Sequence, residues 1–368
     1  MTGPPERAAR VSTLELFFDL VFVFTITQLT GVLVSGSDAT AALQVMVMLL
    51  IVWWMYDGYA WLTNAIPTER VRYRLTLIGA MGGFLVLALA IPEAYESAGL
   101  AFGLGYLVVV LLHAAMYAKG TSVSEVAAIL RIVPFNLAAA VLVIAGGAMG
   151  GTPQWVLWSI AVALLWVIPW ITSTEGFVVS PSHFVERHGL VIIIALGESI
   201  VVIGVGASGL DVDAGLLLVA LLALALSAGL WWLYFSDEGA VMTAMVDAPD
   251  ERRTQFALNA FGYWHYGLLL GIVALAAGLK VAIGDPYEPL QGWIAVELAA
   301  GVALFVACDV GFRRTLGIAG GGMRLVAAVV ALATIPFGLG LAASAQVGAL
   351  AAVVAVALVL EGSRVPPA

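Results

Sequence analysis

Residues 325–360 read LVAAVVALATIPFGLGLAASAQVGALAAVVAVALVL and contain no Asp, Glu, Lys, Arg or His. A transmembrane helix needs roughly 20 apolar residues, so this stretch is too long for one span and holds two. Gly338, Gly340, Ser344 and Gln346 mark the division. The run is continuously apolar and rich in Ala, Leu and Val, which favours helices over the alternating pattern of a β-barrel strand. The rest of the chain is written the same way. Of its 368 residues, 62% are hydrophobic and only 11% charged, with a mean hydropathy of +1.05. Soluble domains carry about 25% charged residues, and so few charges cannot cover a water-facing surface. The expected fold class is therefore an all-α polytopic membrane protein.

Working outward from that stretch, apolar runs bounded by polar or Gly/Pro punctuation fall at about 15–34, 41–62, 73–91, 99–118, 131–150 and 154–173. A second set follows at about 187–206, 214–235, 256–280, 290–311, 323–341 and 345–361. The basic residues test this count of twelve. With a cytoplasmic N-terminus and every run crossing, Arg7, Arg10, Arg70, Arg72, Arg74, Lys119 and Arg131 lie inside. So do Arg187, Arg252, Arg253, Arg313, Arg314, Arg324 and Arg364, leaving only Lys280 outside. The positive-inside rule asks for this bias, and it places both termini in the cytoplasm. The outer loops hold Asp38, Glu93, Glu96, Asp211, Asp213, Asp285 and Glu288. Two readings fit those acids: a mouth that concentrates cations, or filler where Lys and Arg are excluded.

Several classes drop out. The polar start, residues 1–13 (MTGPPERAARVST), has no apolar run of the kind a cleavable signal peptide needs. Cys308 is the single cysteine, so neither a disulfide nor a Cys-type metal site is expected. The 15 basic residues form no phosphate-binding stripe, which excludes nucleic acid as a partner. No catalytic residue, metal or cofactor is expected. The partners are the lipid bilayer, a small solute or ion such as a proton or another cation, and a second copy of the chain in a homo-oligomer.

Landmarks recur in order. Residues 53–57 (WWMYD) answer residues 231–234 (WWLY) with Asp237 beyond, and Glu69-Arg70 answers Glu251-Arg252. Residues 17–28 (FFDLVFVFTITQ) answer residues 187–198 (RHGLVIIIALGE). The expected organisation is a tandem repeat: a segment 1–14, a first six-span repeat at 15–173, a linker at 174–186, a second repeat at 187–361 and a tail at 362–368. An even number of spans makes the repeats parallel, related by an axis along the membrane normal. Chance clustering of interfacial Trp and Tyr is the alternative explanation of the aromatic landmarks, and their recurrence in order favours the repeat.

At these residues the chain resembles a known family. Residues 15–29 (ELFFDLVFVFTITQL) look like the opening signature of the low temperature requirement A (LtrA) family, and residues 183–199 (HFVERHGLVIIIALGES) look like its second. The resemblance implies a prokaryotic inner-membrane protein associated with growth at low temperature, and carries no agreed biochemical activity. Residues 18–27 are also similar to the F-S-D-containing first helix of lysosomal and bacterial potassium-leak channels. Phe18 stands at the Ser of that motif, and the second half has Gly189 where an Asp is needed, so the similarity reaches the fold rather than the pore.

Ionisable residues inside spans cost roughly 2.5–3.5 kcal/mol each on insertion scales and ask for a reason. Glu198, near the middle of its run, is the foremost candidate for an ion or substrate path. Gly197, Ser199 and Gly204 give it a small-residue face that lets another helix approach; structural glue is the alternative. Asp19 lies one turn beyond Glu15, either on the path or as a helix-start carboxylate in a partly hydrated zone. Gln28 is about 180° around the same helix from Asp19 and so faces elsewhere. His265 is either a proton relay or a neutral imidazole bonded to a Tyr or Asn. Glu297 joins the acidic loops in an outer vestibule, and Asp309 is explained by an interfacial pair with Arg313. His183 and Glu186 have metal-ligand spacing without a matching pair elsewhere, so Arg187 is expected to face headgroups. The tryptophans and tyrosines of both WW motifs are expected in the aromatic belt.

Three function classes remain. A transport protein, either a proton-coupled secondary transporter or a cation channel, fits best, with helices interrupted at Pro134, Pro169 and Pro336. A lipid-modifying membrane enzyme using Glu198 and His265 is the alternative. The third is a structural or sensory protein for low-temperature growth.

Overall fold

The computed structural model describes residues 11–66, 70–172 and 175–362. Arg7, Arg10, Glu69, Arg364 and most of the two expected terminal segments lie outside them. Among the described residues there is no strand, and twelve helices are long and apolar enough to cross a membrane. In chain order they are α1 Thr13–Gly36, α2 Ala39–Ala65, α3 Val71–Glu93, α4 Gly99–Lys119, α5 Val123–Met149 and α6 Gly151–Ile171. Then come α7 Pro181–Gly206, α8 Ala214–Asp247, α9 Asp250–Gly284, α10 Gly292–Thr315, α11 Gly322–Gly340 and α12 Ala343–Gly362. The uncharged stretch does hold two helices, parted at Leu341 and Ala342.

Local chemistry sets the ends. Ser122 and Glu125 form a reciprocal capping box at the start of α5, with Glu125 N–H donating to Ser122 Oγ at 3.3 Å and Ser122 N–H to Glu125 Oε2 at 3.0 Å. Asp213 caps α8 through the Leu216 N–H at 2.8 Å. Outward positions such as Leu75, Leu89, Leu221, Val329 and Val359 stay exposed, as lipid-facing side chains do.

Two expectations about breaks need correction. The stretch expected as a loop after residue 235 is helical over Glu238–Asp247 and Asp250–Phe256, followed by a π-helical segment at Ala257–Trp264. Two of the three prolines interrupt nothing, because α5 and α6 run unbroken through Pro134 and Pro169. The third does mark a break. At Ala333–Thr334 α11 divides, and Pro336 opens its second piece at a position that needs no N–H partner.

The chain forms two compact units. Unit 1 comprises Met1–Gln28, Met46–Val191 and Met242–Leu258, and unit 2 comprises Leu29–Val45, Ile192–Val241 and Asn259–Ala368. In unit 1, α3, α4, α5 and α6 pack successively, and Trp158 Nε1–H donates to Val143 O at 2.9 Å between α6 and α5. In unit 2, α9 and α10 pack backbone to backbone. A Cβ on Gly271 would meet Gly301 O at 2.7 Å, so only glycine allows this approach. Gln346 Nε2–H closes a further contact there, donating to Ala295 O at 2.7 Å.

Candidate functional site

Unit 1 gathers an unusual number of charges in its interior. The first turn of α1 carries Glu15 and, four residues on, Asp19, which places both carboxylates on one helix face. Helix α7 starts at Pro181, so His183, Arg187 and His188 fall in about its first two turns. Helix α2 adds Tyr56, Asp57 and Asn64. Arg187 Nη2–H donates to Asp19 Oδ1 at 2.9 Å, and its Nη1 lies 3.3 Å from Glu15 Oε1. Tyr56 O–H donates to the same Asp19 oxygen at 2.7 Å. Glu15 also caps its own helix, accepting from Ser12 N–H at 2.8 Å. Arg187 is 1% exposed and Asp19 0%, so this ion pair is fully withdrawn from solvent. Its stability rests on each charge having a partner, since a buried charge left alone costs several kcal/mol.

The partners of the four histidines determine where protons sit. At His183, Asn64 fixes the answer: its Oδ1 accepts from Ser180 N–H at 2.9 Å, so its Nδ2 is the group facing His183 Nδ1 at 3.3 Å. His183 Nδ1 is then an acceptor, and the ring proton sits on Nε2, 3.0 Å from Glu15 Oε1. His265, in unit 2, donates Nδ1–H to Ala260 O at 3.1 Å and accepts the Tyr234 O–H at Nε2 at 2.8 Å. His113 donates Nε2–H to Gly58 O at 2.9 Å. One ring proton satisfies each of these three arrangements.

His188 is different. Its Nδ1 faces Phe184 O at 2.9 Å, and a carbonyl only accepts, so Nδ1 carries a proton. Its Nε2 faces Asp57 Oδ1 at 3.1 Å. Two bare lone pairs would repel there, so one further proton sits between the imidazole and the carboxylate, whichever of them holds it. Trp61 Nε1–H donates to the other Asp57 oxygen at 3.2 Å and fixes the carboxylate plane.

Asp57 also faces a cleft of about 80 Å³. Its walls are apolar and aromatic: Trp54, Trp61, Tyr117, Phe177, Ile129 and Ile132. Its polar lining is Asp57, His113, Asn136 and Thr172, and among the described residues no Lys or Arg contributes. Trp54 Nε1–H donates to Asn136 Oδ1 at 3.0 Å across it. An apolar lining with a few convergent polar groups is the kind that small-molecule sites have.

Unit 2 has a charge cluster of another kind. Arg324 pairs with Asp309 and, at 2.8 Å, with Glu361, while Arg313 pairs with Asp237 and, at 3.2 Å, with Asp309. Both arginines donate to Leu233 O, at 2.9 and 2.7 Å, and to Ser236 Oγ, at 3.1 and 3.0 Å. Leu233 and Ser236 flank the end of the Ala214–Phe235 helical run, whose last carbonyls have no helical partner. The guanidiniums fill that need and complement the negative helix end.

The remaining expected site residues are spread through the chain. Glu198 is buried and Ser199 is fully buried, but Gly197 and Gly204 have open space where a Cβ would go. Among the described residues no helix uses that glycine face, which corrects the expected close approach. Glu297 is buried with both oxygens unbonded among the described residues, and Gln28 is half-buried. His265 has the tyrosine-bonded form of its two readings.

Three expectations are overturned by burial. Arg187 faces Glu15 and Asp19 rather than headgroups, Asp19 is dry rather than partly hydrated, and Trp53 and Tyr56 sit in the core instead of the belt. The Asp309–Arg313 pair exists but is buried and shared with Arg324. The ligand-spaced His183 and Glu186 diverge: His183 bonds Glu15, and Glu186 Oε2 accepts from Val11 N–H at 3.2 Å. Sequence reasoning misses Asp57, Arg187 and His188 as interior charges. Pro181 is the available signal, since it suits a first helical turn and so puts Arg187 nearly two turns inside a helix.

The family model described as bacterial low temperature requirement A protein (LtrA) matches residues 10–359. The chain belongs to the LtrA family. An LtrA-family relationship of this breadth takes in most of both units and every residue of the two clusters except Glu361. The chain is also similar to a protein of Rhizobium meliloti (strain 1021) described as uncharacterized protein RA0937. The two are 29% identical over 315 residues, which is 82% of this chain and 76% of the relative.

Proposed function

We propose that this LtrA-family protein is a proton-coupled secondary transporter of the prokaryotic cytoplasmic membrane, with both termini inside and two parallel six-span repeats. The observation that carries this reading is the Asp57–His188 pair: a buried carboxylate–imidazole contact at the wall of an apolar, aromatic-lined cleft. Ionisable groups at membrane depth commonly mark proton relays and substrate paths. Glu198, with Ser199 beside it, is the second group proposed for the path. Asp19 is assigned to hold Arg187, and His265 to pack against Tyr234. Gln28 and Glu297 keep the path roles expected from the sequence.

Reconstitution tests this directly. Proteoliposomes holding a pH-sensitive dye are given an outward or inward proton gradient. Proton movement is expected with the wild type and is expected to be lost in Asp57→Asn. Glu198→Gln is expected to slow it. Liposomes that hold their gradient as well as protein-free ones, across a panel of cations and small solutes, would sink the reading.

A further inference from the structure

We propose that the unit 1 cleft binds a small organic ammonium ion with an apolar body, and that its arrival releases the proton held between Asp57 and His188. The exchange rests on the transport reading above; the ligand class rests on the cleft itself.

Three features point to this ligand. The first is the aromatic wall. Trp54, Trp61, Tyr117 and Phe177 line the cleft, and aromatic faces attract a cation within about 6 Å of the ring. The second is the polar lining, which is rich in acceptors. Asp57 offers a carboxylate, and the Thr172 hydroxyl already donates to Ile168 O at 2.9 Å. His113 spends its one ring proton on Gly58 O, so Nδ1 is an acceptor. This atom is buried and has no hydrogen-bond partner among the described residues. The third is that no described Lys or Arg lines the cleft, which leaves the place of a cation open.

The proton balance follows from charge. With its shared proton, the Asp57–His188 pair is neutral overall. When the proton leaves, Asp57 is an anion beside a neutral His188, and the ammonium supplies both the missing positive charge and the N–H donors that the two bare lone pairs then lack. Cation and proton exchange one for one, and the buried charge does not change, which avoids the cost of an uncompensated ion. The charged and titratable groups around the pair are Asp19 and Arg187, Tyr56 and Tyr117, with His113 across the cleft. Asp19 and Arg187 bind each other, which leaves Asp57 as the carboxylate that faces the cleft.

The test is isothermal titration of the full-length chain in lipid nanodiscs with phenethylammonium. The controls are empty nanodiscs and the neutral isostere propylbenzene. Runs in buffers of different ionisation enthalpy count protons. The expected result is saturable binding of the ammonium with release of close to one proton, absent in Asp57→Asn and for propylbenzene. Trp54→Leu keeps the apolar bulk and removes the ring, so it guards against mere misfolding of the buried-site variant. It is expected to weaken ammonium binding roughly 2- to 30-fold. Equal binding of propylbenzene, binding without proton release, or binding that survives Asp57→Asn overturns the proposal. The two readings fail separately. Proton flux in proteoliposomes with no ammonium binding removes the ligand class and leaves transport standing. Ammonium binding without any flux does the reverse.

Discussion

Both units bury arginine against carboxylates, but they use the arrangement differently. In unit 2, Arg313 and Arg324 meet Asp237, Asp309 and Glu361, and their remaining donors go to Leu233 O and Ser236 at a helix end. Charges there are consumed in closing a break, and the nearby pair of Tyr234 with His265 needs no extra proton. In unit 1, Arg187 clamps Glu15 and Asp19 in the same manner, yet a second pair, Asp57 and His188, stands beside it with a proton to share and a cleft to face. A buried charge is therefore not by itself a functional sign. On the transport reading, what distinguishes a path site from a clamp is whether its hydrogen-bond donors and acceptors balance without an exchangeable proton.

The largest effect should come from breaking a clamp. Arg324→Met removes the cation shared by Asp309 and Glu361 and is expected to destabilise the fold by about 3–5 kcal/mol. Arg187→Met is expected to cost a similar amount through Glu15 and Asp19. Thermal unfolding in nanodiscs measures both. A wild-type melting temperature in either variant would show that its carboxylates do not depend on that arginine.

Proton placement comes next. Solid-state NMR of isotope-labelled histidine is expected to show three neutral rings: His183 and His113 protonated at Nε2, and His265 at Nδ1. His188 is expected to exchange a proton with Asp57, and Asp57→Asn should convert it to a plain neutral ring protonated at Nδ1. A spectrum with four neutral rings and an ionised Asp57 would erase the contrast between the units. A variant pair sharpens it further: His188→Gln is expected to abolish proton flux in proteoliposomes, while His265→Gln is expected to retain it.

The fold is largely legible in the sequence because its cause is local. Apolar runs of spanning length reveal themselves one at a time, and the uncharged stretch at residues 325–360 resolves into α11 and α12 as expected. The clamps are harder to see because their partners are far apart in sequence: Asp19 and Arg187, or Leu233 and Arg324. Counting Arg187, Arg313 and Arg324 on the cytoplasmic side satisfies the positive-inside rule and conceals that all three are buried. The rule counts charges near span ends and is silent on whether each points outward or in. Asp57 is hidden by its neighbours, since WWMYD reads as a belt motif rather than as a carboxylate inside a helix. Glu198 is legible as a charge inside a span from its position in its run, and it is buried.

The smallest effects come from the two tyrosines of the WW motifs, and they test the comparison at a single atom. Tyr56 donates to Asp19, the carboxylate paired with Arg187, whereas Tyr234 donates to the His265 imidazole. Hydrogen bonds to charged groups contribute about 1.5–3 kcal/mol and neutral ones about 1. Tyr56→Phe should therefore lower unfolding stability more than Tyr234→Phe, although each removes one oxygen from a buried position. Chemical denaturation of the two variants in one detergent gives the ratio. Equal losses would mean that Asp19 is protonated. The Arg187 clamp would then hold one carboxylate charge instead of two, and unit 1 would have a second site from which a proton can leave.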